Sequence, residues 1–107
     1  MAFYLIQASY AVPAAASMVK NPQDRSAVVK AMLEKAEGKL HGFWQSFGEY
    51  DVVAIAEVPD NVSAAAMAMA IGSSGAMSAY RTTPLLTVAE SVAAMKKASG
   101  IAYQPPK

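Results

Sequence analysis

Apolar and polar positions change their spacing several times along the chain, and each change marks an element. Ala2–Tyr10 is aliphatic and aromatic with no helical period, which predicts a first strand. A loop holding Pro13 and several alanines is expected next. Asn21-Pro22-Gln23-Asp24 has the make-up of a helix start: Asn21 to cap, Pro22 in the first turn, Asp24 against the dipole. Across Arg25–Glu37, Val28, Val29, Met32, Leu33 and Ala36 form one helical stripe, with Lys30, Glu34 and Lys35 off it and Gly38 as the stop. Lys39–Phe47 and Tyr50–Val58 read as two strands joined tightly at Phe47-Gly48-Glu49. Asp60 opens an alanine-rich helix over Val62–Ile71, which Gly72-Ser73-Ser74-Gly75 breaks. Met77–Leu85 is extended again. Thr87-Val88-Ala89-Glu90 then matches a capping box and starts a last helix ending near Lys96, Lys97 and Gly100.

The order β-α-β-β-α-β plus a final helix is the split βαβ arrangement: an α+β, ferredoxin-like fold with an antiparallel sheet. The 107 residues fit a single domain spanning 1–107, with a core over 2–97 and a tail over 98–107. The composition is 54% hydrophobic and 16% charged, with a net charge of +1. So little basic charge argues against a nucleic-acid partner, which needs a cationic footprint. There are no cysteines and one histidine, His41, which removes disulfides, thiolate catalysis and any multi-histidine metal site within one chain. The longest apolar stretch, around Ala64–Ile71, is too short to cross a bilayer, and Met1-Ala2-Phe3-Tyr4 has no signal-peptide character. A cytoplasmic protein without a membrane partner is expected. The apolar excess in so small a domain points to faces buried against another subunit.

Phe47-Gly48-Glu49-Tyr50-Asp51 and the strand running on to Val58-Pro59-Asp60 resemble the GYD-domain family, whose Gly-x-Tyr-Asp signature falls here on Gly48, Tyr50 and Asp51. Gly38-Lys39-Leu40-His41-Gly42-Phe43-Trp44 resembles the family's glycine-punctuated second strand. Gly72–Gly75 and Arg81-Thr82-Thr83-Pro84-Leu85 sit where the family has a glycine-rich break and a final strand. The resemblance covers roughly residues 2–97, with Ala11–Ser17 departing from the pattern. It implies a dimeric α/β barrel, in which two ferredoxin-like sheets pack face to face and leave a ligand-sized cavity between sheet and helices or near the interface. Fold relatives include small monooxygenases, isomerases, dehalogenase-like proteins and stress-induced proteins, so the fold assigns no reaction.

Several residues are candidates for chemistry. Asp51 is either a base or the acceptor for backbone N–H groups at the hairpin, and Tyr50 either a hydrogen-bonding wall or a lid on the turn. His41 has the one side chain whose ordinary pKa suits proton transfer near neutrality. Strict alternation puts it with Lys39, Phe43 and Gln45, and puts Trp44 on the opposite face with Leu40, Gly42 and Ser46. Glu57 stands in an apolar strand and needs a partner, for which Arg81 is a candidate. Asp51 lies about 20 Å from Glu57 along the strand, too far to share a proton. Gln7, Tyr4 and Tyr80 can bring polar tips to a cavity; Met67 and Met69 read as packing. Gly72–Gly75 matches neither the P-loop nor the dinucleotide fingerprint, and Ser73, Ser74 and Ser78 lack a nucleophile motif, so no cofactor and no metal is implied.

Two functions follow. One is a homo-oligomer binding a small, partly apolar metabolite, with cofactor-free proton transfer or oxygenation by His41 and Asp51 and ligand contacts from Gln7, Trp44, Tyr50, Glu57 and Arg81. The other is a non-enzymatic assembly protein whose sheet face serves subunit pairing.

Overall fold

A computed structural model describes all residues, 1–107. The elements are β1 (Ala2–Tyr10), α1 (Val12–Lys20), α2 (Ser26–Lys35), β2 (Lys39–Gln45), β3 (Val52–Val58), α3 (Asn61–Ser73), β4 (Met77–Leu85) and α4 (Val88–Ala98). The four strands form one sheet in the order β2-β3-β1-β4, every pair antiparallel. This is the ferredoxin-like α+β fold with an added C-terminal helix.

Period-two alternation decides the sheet's two faces. Tyr4, Ile6 and Ala8 of β1 and Val52, Ala54, Ala56 and Val58 of β3 are buried beneath the helices. The alanines in the two central strands leave room for Leu33 of α2, fully buried, and for Ala64 and Met67 of α3. Asp60 caps α3 by accepting the Ser63 N–H at 2.9 Å, and the Tyr4 hydroxyl donates to Asn61 Oδ1, tying the helix start to the central strand.

Three local expectations are corrected. The Ala11–Ser17 segment is helix α1 rather than a loop, because Pro13 falls in the first turn, where a missing N–H costs nothing, and alanines follow it. Asn21 ends α1 instead of capping α2: its N–H donates to Ser17 O at 2.9 Å, and Asp24 holds the start of α2 by accepting the Ser26 N–H and hydroxyl. The β2–β3 connection spans residues 46–51, longer than a tight hairpin.

The end of α2 also differs from its expected form. Glu37, not Gly38, takes the left-handed conformation (φ 59°), and the Gly38 N–H donates to Leu33 O at 2.8 Å. Gly38 is required for a separate reason: a Cβ there would lie 2.6 Å from the Glu57 carbonyl oxygen and 2.8 Å from a Val58 methyl. Close approach of the chain to β3 claims the glycine, and the helix stop passes to its neighbour.

Helix α4 carries the predicted capping box, with Glu90 N–H donating to Thr87 Oγ1 at 3.1 Å and Thr87 N–H to Glu90 Oε1 at 2.9 Å. None of its residues is buried. The radius of gyration, 17.1 Å, exceeds the roughly 13 Å of a compact chain of this length, and the longest extent is 56 Å. No helix is long and apolar enough to cross a membrane.

Candidate functional site

Only one face of the sheet carries helices, so the opposite face is bare, and the register sets its side chains in rows. Glu57, Phe3 and Leu85 form one row across β3, β1 and β4; Ile55, Leu5 and Thr83 form the next. Trp44, Val53, Gln7 and Arg81 form a third, running the full width of the sheet. Apolar side chains predominate on this face, with Glu57 and Gln7 set among them in the two central strands and Thr83 and Arg81 in the edge strand β4.

A register break in β2 between Leu40 and Gly42 changes which residues share that face. Strict alternation expects His41 with Phe43 and Trp44 opposite them. The break instead leaves His41 as the extra residue, so Leu40 and Phe43 both pack on the core while His41 and Trp44 both look out over the bare face. His41 Nε2 lies 2.9 Å from Glu57 Oε1, and its ring stacks at a tilt on Phe3, the centroids 5.2 Å apart. Glu57 therefore finds its partner within β2. Arg81 is two strands and two rows away from it, beside Gln7.

The six-membered ring of the Trp44 indole covers Gly42, where a Cβ would fall 2.1 Å from Cη2 and 2.5 Å from Cζ3. The structure thus brings His41, Glu57, Trp44, Gln7 and Arg81 onto one surface. Both His41 and Glu57 remain partly accessible, with side chains 33% and 21% exposed. Held through Nε2, His41 has Nδ1 left to exchange a proton with a bound molecule.

Asp51 and Tyr50 are not part of that group. Asp51 Oδ2 accepts the Tyr10 N–H at 3.0 Å, where the β1–β4 register shifts between Ser9 and Tyr10. The Asp51 N–H donates to Ala8 O at 2.9 Å, its carbonyl accepts from Ser46 N–H at 2.7 Å, and the Ser46 hydroxyl donates to Tyr50 O at 2.6 Å. The signature segment pins the β2–β3 connection to the end of β1.

Beside it lies an open groove of about 320 Å3 whose walls include Tyr10, Gln23, Gln45, Asp51 and α1. Burial pushes the Tyr10 phenol up, the Arg25 guanidinium opposing this and the Asp51 carboxylate adding to it. Tyr10, Arg25 and Gln45 were not among the residues sequence alone singled out. Tyr10 and Gln45 are marked only by their proximity to Asp51, and Arg25 only by its approach to Tyr10, none of which sequence spacing records.

Beneath the helices an apolar cleft of about 230 Å3 opens between α2 and α3, lined by Val29, Met32, Ile71 and Met77, and two innermost voids measure about 10 Å3 and 40 Å3. The Tyr80 hydroxyl and Thr82 Oγ1 are buried there without a hydrogen-bond partner, and burial pushes the Tyr80 phenol up. Met67 packs in the core, whereas Met69 is exposed. No three His, Cys, Asp or Glu side chains come together to hold a metal ion.

A four-stranded antiparallel sheet covered on one side by crossover helices, with a bare face carrying one histidine–carboxylate pair, places the molecule among small α+β proteins of the split βαβ type. The chain belongs to the GYD-domain family: the family model, described as the GYD domain, matches residues 4–95. That span runs from β1 into α4. The chain has no significant match among curated proteins or among solved structures.

Proposed function

We propose that this GYD-domain protein is a homo-oligomer that pairs through its bare sheet face and holds a small, partly apolar metabolite against that face. The observation that carries the reading is the composition of the surface: apolar side chains (Phe3, Leu5, Val53, Ile55) interrupted by His41–Glu57 in one place and by Gln7–Arg81 two rows away. An apolar face of this kind is costly in water and gains by meeting another. The polar groups set into it suit a ligand with an apolar body and an anionic or carbonyl end. Arg81 and Gln7 supply hydrogen-bond donors, Trp44 a flat wall, and His41, steadied by Glu57, a group able to take a proton from the ligand without a cofactor.

Native mass spectrometry of gently purified protein, alongside the denatured chain, tests this. A multimer carrying small-molecule mass that denaturation releases is expected, with the extra mass lost in His41→Ala or Arg81→Ala while the multimer persists. A stable monomer refutes the pairing; retention of the same extra mass by both variants refutes the site.

One observation favours the assembly function instead. The two innermost voids, about 10 and 40 Å3, are too small for a metabolite, and the apolar cleft of about 230 Å3 between α2 and α3 is open to the surface, so one chain alone encloses no ligand chamber. If the paired faces close without a gap, the protein is an assembly module. A clean multimer with no releasable mass and no response to the His41 and Arg81 variants is that function's signature.

A further inference from the structure

Helix α4 is short, and its own chain gives it nothing to pack on. Eleven residues is below the length at which an isolated helix holds its shape in water, even with a capping box. Yet it carries a stripe: Val88, Val92 and Met95 recur at i, i+4 and i+7, and they are 82%, 43% and 65% exposed. Leu86, 64% exposed, continues that stripe back to Leu85, which lies on the bare sheet face beside Phe3. The outer side of the helix is alanine, Glu90 and Lys97, as expected of a surface left to solvent. The apolar surface of α4 is thus an extension of the bare face, carried past the edge of the sheet.

The area needed for stable pairing supplies a second argument. Four strands about 4.8 Å apart, two of seven residues and two of nine at about 3.3 Å each, give the bare face a footprint of about 500 Å2. A stable pair buries about 800 Å2 on each partner, which a flat face of this size does not reach alone. We infer that α4 is a clasping arm whose Val88–Val92–Met95 stripe packs on a second copy of this chain, enlarging the sheet-face interface. The inference rests on the pairing proposed above and adds to it the element that completes the interface. The same contact that secures the partner keeps α4 helical, so the arm folds as it binds.

Sedimentation over a dilution series of the full chain tests the arm. The double variant Val92→Glu/Met95→Glu is compared with the conservative Val92→Ile/Met95→Leu and with Ile55→Lys on the sheet face. Because α4 is unpacked within its own chain, the glutamates leave the rest of the fold unchanged. The expected result is a dimer whose dissociation constant rises at least about a hundredfold in the glutamate variant and stays within about threefold of wild type in the conservative one. Hydrogen exchange in α4 is expected to be slow in the dimer and fast after dilution. If Ile55→Lys dissociates the dimer while the glutamate variant keeps the wild-type constant, the arm is wrong and the sheet-face pairing stands. Dissociation by the glutamates with Ile55→Lys unaffected upholds the arm and removes the sheet face. A wild-type monomer at high concentration overturns both.

Discussion

The Asp51 carboxylate, prominent as a signature residue, has a structural task with a calculable size. Its Oδ2 accepts the Tyr10 N–H at 3.0 Å at the point where the β1–β4 register shifts. Asp51→Ala leaves that part-buried N–H without an acceptor. A hydrogen bond to a charged group contributes about 1.5–3 kcal/mol, so a loss of about 2 kcal/mol is expected. For a domain of this size that lowers Tm by about 10 °C, and at a denaturant dependence of about 1.5 kcal/mol per molar it moves the urea midpoint down by about 1.3 M. Asp51→Asn keeps an acceptor oxygen in the same place and loses only the charge, so it is expected to give up about half as much. Urea unfolding followed through Trp44, the one tryptophan, reads both variants on the same day and in the same buffer. If the Asp51→Ala urea midpoint lies within about 0.3 M of wild type, the carboxylate is not pinning β1. If it lies there while the variant loses a bound small molecule, the group belongs to the ligand instead.

Three further outcomes are expected. Glu37→Gly relieves a left-handed backbone (φ 59°) at the end of α2, and stabilises the protein by about 0.5–1 kcal/mol in thermal melts. Gly42→Ala displaces the indole that lies over position 42, and shifts the Trp44 emission maximum while far-UV circular dichroism is kept; an unchanged spectrum would contradict the stacking. Backbone hydrogen bonds from Ser63 to Asp60 and from Thr87 to Glu90, and the Ser26 hydroxyl and N–H on Asp24, hold these three carboxyls below their ordinary range. The stability their caps supply is therefore fully present above the ordinary carboxylate range and is lost as pH falls below that range through the lowered folded-state values, so helicity declines on strong acidification, and Asp60→Asn flattens part of that decline.

How much of this was legible in the sequence follows from the range of each interaction. The sheet's element order, the α2 stripe around Leu33 and the Thr87–Glu90 capping box rest on neighbours within a few residues, and sequence spacing records them directly. Gly38 was legible as a stop but not as a close-approach residue, because the atoms that exclude a side chain belong to β3. The break at Leu40–Gly42 has no local signature, and one unread residue exchanged the faces of Phe43 and Trp44. Sequence offers Arg81 as the partner of Glu57, and His41 takes that place only through the β2–β3 register and its break. Tyr10 meets Asp51 through the pairing of distant strands, Arg25 reaches Tyr10 from ahead of α2, and the groove they share with Gln45 is walled by α1, a segment that reads as a loop.

The register break has a further consequence, for how this surface can change over time. In a regular strand a side chain is held to its role by the residue opposite and by the core beneath it. His41 stands opposite no residue of β3, while Leu40 and Phe43 flank it and both serve the core. Its identity is thereby uncoupled from the core, and what a substitution there gives up is the contact with Glu57 and Phe3 rather than a place in the packing beneath the helices. One fixed scaffold can then present a proton carrier, a neutral hydrogen-bonding group or a plain apolar contact at the edge of the bare face, and exchange one for another in a single substitution.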